Sequence, residues 1–114
     1  MSQTYYPDRW VLLKISRPDV DPIYKLFSTW FGGYCGSESW KINSGVKKIT
    51  QDETCFFVEG YSESVYSCDK HTYGTNLYTS GVLSDMIENA AKSGVTVEIL
   101  PEDTDFVALE LFVE

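Results

Sequence analysis

Alternation limits this chain more than any other feature. In segment after segment apolar side chains return at every second residue, the period of an extended strand, and only once do they return at helical spacing. Arg9-Trp10-Val11-Leu12-Leu13-Lys14-Ile15 sets Val11, Leu13 and Ile15 on one face and Trp10 and Leu12 on the other, and Pro18 closes the segment. Residues 23–31 place Tyr24, Leu26, Ser28 and Trp30 against Lys25, Phe27, Thr29 and Phe31, a second strand. The glycines of Gly32-Gly33-Tyr34-Cys35-Gly36 supply backbone angles closed to other residues, which predicts a turn and a hairpin into Ser39-Trp40-Lys41-Ile42-Asn43. Asn43-Ser44-Gly45 then predicts a bulge or tight bend before Val46-Lys47-Lys48-Ile49.

Gln51-Asp52-Glu53 is a polar turn, and residues 54–61 and 64–69 extend the meander through Gly60-Tyr61-Ser62-Glu63. Residues 70–80 show no period and are expected to form a loop. Val82, Leu83, Met86, Ile87 and Ala90 share one helical face, which predicts a helix over residues 82–93 with Ser80 as N-cap and Gly94 at its stop, and with Leu83, Met86, Ile87 and Ala90 against the sheet. Residues 95–99 resume alternation, residues 101–105 form an acidic turn, and residues 106–113 alternate with both faces nearly apolar, which predicts a buried or paired last strand. The expected fold is α+β: a mainly antiparallel, strongly curved sheet built as a meander, with one helix of the C-terminal half packed on it, in the order β-β-β-β-β-α-β and an optional last strand. With 114 residues, no internal repeat and no linker, residues 1–114 read as a single globular domain.

Composition narrows the function. With hydrophobic residues at 43% and charged residues at 23%, the chain holds enough apolar surface to build a core, which excludes a disordered chain. The net charge of −8 repels a phosphate backbone, and the basic residues are scattered apart from Lys47-Lys48, so direct nucleic-acid binding is disfavoured. The same balance suits a basic protein partner and is also an ordinary route to solubility. No apolar run approaches the ~20 residues of a membrane span, the first residues lack the pattern of a signal peptide, and Cys35, Cys55 and Cys68 cannot all pair within one chain. The expectation is a cytoplasmic protein with free thiols.

No catalytic template emerges. Cys68, Asp69 and His71, the sole histidine, supply the residue types of a nucleophile, acid and base, but adjacent strand residues point to opposite faces. Cys35, Cys55, Cys68 and His71 would be a zinc set with only one close pair, where structural sites usually present two. Neither a phosphate loop nor a dinucleotide fingerprint occurs, and Glu102, Asp103 and Asp105 read as a solvated turn. We therefore expect no enzyme, no cofactor and no metal.

Recognition is better supplied. Between Thr29 and Gly45, aromatic residues mix with glycine and serine, and aromatic side chains bury large areas with little loss of entropy. The candidate binding residues are Trp30, Tyr34, Ser39, Trp40, Asn43 and Ser44, with Tyr61 beside them in the meander. The competing reading makes Trp30 and Trp40 cross-strand partners in the core, with Gly and Ser needed only for the turn.

The chain resembles a group of small uncharacterised bacteriophage and prophage proteins. The resemblance rests on Pro7-Asp8-Arg9-Trp10-Val11-Leu12-Leu13-Lys14-Ile15, on Gly32-Gly33-Tyr34-Cys35-Gly36-Ser37-Glu38-Ser39-Trp40-Lys41-Ile42-Asn43-Ser44-Gly45-Val46 and on Gly60-Tyr61-Ser62-Glu63-Ser64-Val65-Tyr66-Ser67-Cys68, and extends loosely from Gly81 to Asp105. It carries no activity or catalytic residue. It implies context: small phage proteins often bind and block a host protein, including components of defence systems. The expectation is a phage-type accessory protein that inhibits or redirects a host protein, itself basic or nucleic-acid-binding, through an acidic and aromatic surface, acting in the host cytosol and able to form a homo-oligomer. The alternative is a protein that binds or sequesters a nucleotide-like small molecule by stacking, although few lysines lie near the candidate segments to hold its phosphate.

Overall fold

The computed structural model describes residues 3–31 and 39–111. Its elements are β1 (Gln3–Tyr5), β2 (Arg9–Ser16), β3 (Ile23–Trp30), β4 (Ser39–Ile42), β5 (Val46–Gln51), β6 (Cys55–Gly60), β7 (Ser64–Asp69), α1 (Leu77–Lys92), β8 (Thr96–Ile99) and a 3-10 turn at Phe106–Ala108. The fold is α+β, its sheets antiparallel apart from the β1–β7 pair and strongly curved without closing. The bend at Asn43–Gly45, where Gly45 takes a φ of 137°, divides the meander. Before it, β2, β3 and β4 belong to a first sheet of order β4-β3-β2-β8; after it, β5, β6 and β7 belong to a second of order β1-β7-β6-β5. The hairpin from β3 to β4 forms as expected from the pairing Trp30↔Ser39, while its glycine turn lies outside the described residues.

The two faces of β2 explain the layering. Trp10 and Leu12 join Tyr24 and Leu26 in packing on Val46, Ile49, Val58, Tyr66 and Cys68 of the second sheet. Val11 and Leu13, with Phe27, pack instead on Leu83 of α1. The first sheet is thus covered on both sides, by the second sheet and by the helix, and both faces of its central strands are apolar for that reason. Leu83 is 1% exposed, with Val82 and Met86 beside it, whereas Ile87 and Ala90 are half-buried and do not pack on that cluster.

Two further expectations need correction. Helix α1 starts at Leu77, and its N-cap is Asn76 rather than Ser80: the Asn76 Oδ1 accepts the Thr79 N–H at 2.8 Å and the Thr79 Oγ1 accepts the Asn76 N–H at 3.1 Å. Its first turn escapes detection because Leu77 and Tyr78 point outward and break the periodicity. Its end is as expected, with Gly94 at φ 79° and the bonds Gly94 N–H to Ala91 and Val95 N–H to Ala90 closing a Schellman motif. The tail is not a strand through residue 111. Phe106 turns in to lie 5.4 Å from the Trp10 ring and 5.2 Å from that of Phe56, and Leu109 and Leu111 follow it onto the core. Finally, β1 is a strand too short for alternation to reveal.

Candidate interaction surfaces

The expected binding residues fall into separate places. Trp30 and Trp40 lie on opposite faces of the first sheet, because Trp40 stands opposite Thr29 in register and Trp30 opposite Ser39. They are therefore not cross-strand partners. Trp30 borders the space between the sheets, with its indole N–H donated to the Tyr6 carbonyl at 3.2 Å and its ring edge-on to Tyr5. Trp40 stacks on Phe27 at 5.5 Å on the helix side and remains 39% exposed. Ser39 is exposed at the start of β4, and Tyr34 lies outside the described residues.

Asn43, Ser44 and Tyr61 do come together, and the arrangement is structural for Asn43. It is 5% exposed, its Oδ1 accepts the buried Leu26 N–H at 2.8 Å and its Nδ2 donates to the Gly45 carbonyl at 3.3 Å. The Tyr61 ring lies so close over Gly45 that a Cβ there would meet it at 2.5 Å. Ser44 and Ser62 share a hydrogen bond at 3.4 Å. The side chains fix the bend that carries the chain from one sheet to the other.

A cluster that the sequence did not suggest closes the sandwich nearby. Tyr5 stacks on Tyr66 at 5.0 Å, and the Lys41 amine sits 4.6 Å over the Tyr5 ring. Burial pushes the Tyr66 phenol up from its ordinary range, and the Lys41 amine pulls it the other way. At the opposite side of the core Tyr73 donates its hydroxyl to the Leu100 carbonyl at 2.6 Å and accepts the Leu12 N–H at 3.1 Å, with its ring edge-on to Trp10. Burial pushes the Tyr73 phenol up to about 12.

The residues of the catalytic reading are held apart in role. Cys68 is fully buried between the sheets, and burial pushes its thiol well above the usual range. The Asp69 carboxylate accepts the backbone N–H of His71 at 2.7 Å, a turn contact, while His71 is exposed. Among the described residues no group of His, Cys, Asp and Glu could hold a metal ion, and no helix is long and apolar enough to cross a membrane.

No family model, curated protein or solved structure matches the chain.

The charge has a location. Residues 3–75 are almost balanced, whereas residues 76–111 carry seven carboxylates against the single amine of Lys92. All seven, from Asp85 and Glu88 on α1 to Glu110 in the tail, are exposed. On the same helix Leu77 is 93% exposed and Tyr78 54%, and Gly81, one turn on from Leu77, leaves open space where a Cβ would stand. The outward face of α1 is thus apolar in its first turn and acidic beyond it, a combination that hydrophobic periodicity hides because it falls on the solvent side.

Proposed function

We propose that this chain is a protein-binding module that blocks or redirects a basic partner, and that the outward face of α1 is its principal contact. The observation that carries this reading is the exposure of Leu77 and Tyr78 at the head of a helix whose solvent face continues into Asp85 and Glu88. A leucine left in water at 93% exposure gains nothing for the monomer, and apolar anchors rimmed by charge are the common anatomy of an interface. Carboxylates on the same elements speed encounter with a basic surface and turn away nucleic acid. The resemblance to small phage proteins supplies the class of partner, a host protein of basic or nucleic-acid-binding character.

This moves the expected acidic and aromatic surface from the Trp30–Asn43 region to α1, since Asn43 is buried and Trp30 borders the core. Affinity capture from host lysate tests it, comparing the wild type with Leu77→Ser/Tyr78→Ser. The expected result is a basic protein retained by the wild type, lost from the variant and released by salt. Retention of the same proteins by the folded variant overturns the choice of surface, and a co-purifying small mass in native mass spectrometry favours the small-molecule alternative.

A further inference from the structure

Among the described residues no strand pairs with either outer edge of the first sheet, β4 or β8, and hydrogen-bond alternation identifies which groups along them point outward. On β8, the Leu100 N–H bonds the Leu12 carbonyl at 3.0 Å, so Leu12 and Leu100 are a hydrogen-bonded pair. Such pairs alternate with unbonded ones along an antiparallel ladder, so the facing residues Leu13↔Ile99 and Ile15↔Val97 are unbonded and the N–H and C=O of Val97 and Ile99 point outward. On β4, the Asn43 N–H bonds the Leu26 carbonyl at 3.1 Å. By the same alternation Trp40 and Ile42 turn their N–H and C=O outward. No partner for these groups exists among the described residues.

The two edges match each other. Trp40 and Ile42 carry side chains on the helix side of the sheet, with Phe27, and so do Val97 and Ile99, with Ile15 and Leu13. Within the sheet the strand directions alternate from β4 to β8, so a second copy placed by simple continuation sets its β4 antiparallel to β8 and keeps α1 on the same side. With Trp40 of the next copy opposite Ile99, Lys41 falls opposite Glu98 and Ile42 opposite Val97. This register covers two of the exposed large apolar side chains, Trp40 at 39% and Ile99 at 41%, with one another. Glu98, which already faces Lys14 across β2, gains a second cation.

We infer that the occupant of the β8 edge is the β4 edge of a second copy of this chain, joined head to tail in a continued sheet. Each facing pair of outward residues exchanges both its N–H···O bonds, and the opposite charges fix the register. The contact is heterologous, so it builds an open chain of copies unless the sheet twist closes it. It stands apart from the basic-partner surface, which uses the outward face of α1.

Sedimentation velocity over a concentration series tests it. The wild type is expected to gain mass with concentration, and amide exchange at Val97, Ile99, Trp40 and Ile42 to slow in parallel. Lys41→Glu and Glu98→Lys are each expected to stay monomeric, because each sets like charges opposite one another, and an equimolar mixture of the two to regain association through restored pairs. Lys41 also covers Tyr5, so Ile99→Pro, which removes an outward N–H and no intrachain bond, provides a variant free of that contact. A wild type that stays monomeric at its highest soluble concentration overturns the inference, as does association that survives in Ile99→Pro and in both charge variants.

Discussion

Asn43→Ala is the sharpest test of the bend between the sheets. The substitution removes the Oδ1 that accepts the Leu26 N–H at 2.8 Å and the Nδ2 that reaches the Gly45 carbonyl at 3.3 Å. Leu26 is fully buried, so its N–H cannot turn to water, and an orphaned buried donor costs about 1–3 kcal/mol. The longer Gly45 bond adds at most about 1 kcal/mol. The expected loss of about 2–3 kcal/mol lowers Tm by roughly 8–15 °C for a domain of this size, and moves the urea midpoint by about 1–2 M. Equilibrium urea unfolding followed by tryptophan fluorescence reads it, with the exposed Ser39→Ala as the neighbouring control. An unfolding free energy within about 0.3 kcal/mol of wild type would refute the claim that Asn43 holds this bend and would return it to the candidate binding residues. Should the variant lose stability as calculated, its binding is to be compared with wild type only at temperatures where both are folded.

Leu83→Asp is expected to unfold the protein at ambient temperature by burying an unpaired charge against Val11, Leu13 and Phe27, while Ile87→Asp, on a half-buried position, is expected to leave a cooperative transition at lower denaturant; circular dichroism separates the two. Tyr73 has a folded-state pKa raised to about 12, so its contribution is complete below the ordinary phenol pKa of about 10 and is lost as pH rises from there toward 12; Tyr73→Phe is expected to flatten that part of the stability–pH curve and to lower stability at neutral pH through the lost bonds to Leu100 and Leu12. Cys68 is expected to stay silent to a thiol reagent in the folded protein and to react on unfolding, since it is fully buried and its thiol is pushed up; native-state labelling mapped by mass spectrometry checks it. His71→Ala is expected to leave the urea midpoint unchanged, because the Asp69 contact there is to its backbone.

Local pattern determined a good deal of this protein. A strand with one side chain in and the next out must alternate whatever it pairs with, so β2, β3, β6 and β7 are legible in the order of their residues, and a run such as Trp10–Ile15, apolar on both faces, already carries the mark of a strand covered twice. Gly94 ends a helix by its own backbone freedom, and Gly45 turns the chain for the same reason. What alternation cannot supply is the identity of the cover, because that depends on residues distant in sequence. Only the tertiary structure decides that Trp30 looks toward the second sheet and Trp40 toward the helix side, that the Asn43 amide meets the backbone of Leu26 and Gly45, and that residues 106–111 give up strand pairing so that Phe106 can fill the gap beside Trp10, Phe56 and Tyr73. The same holds for Leu77 and Tyr78: nothing in their sequence neighbours says that they face water, since exposure is a property of the packed whole.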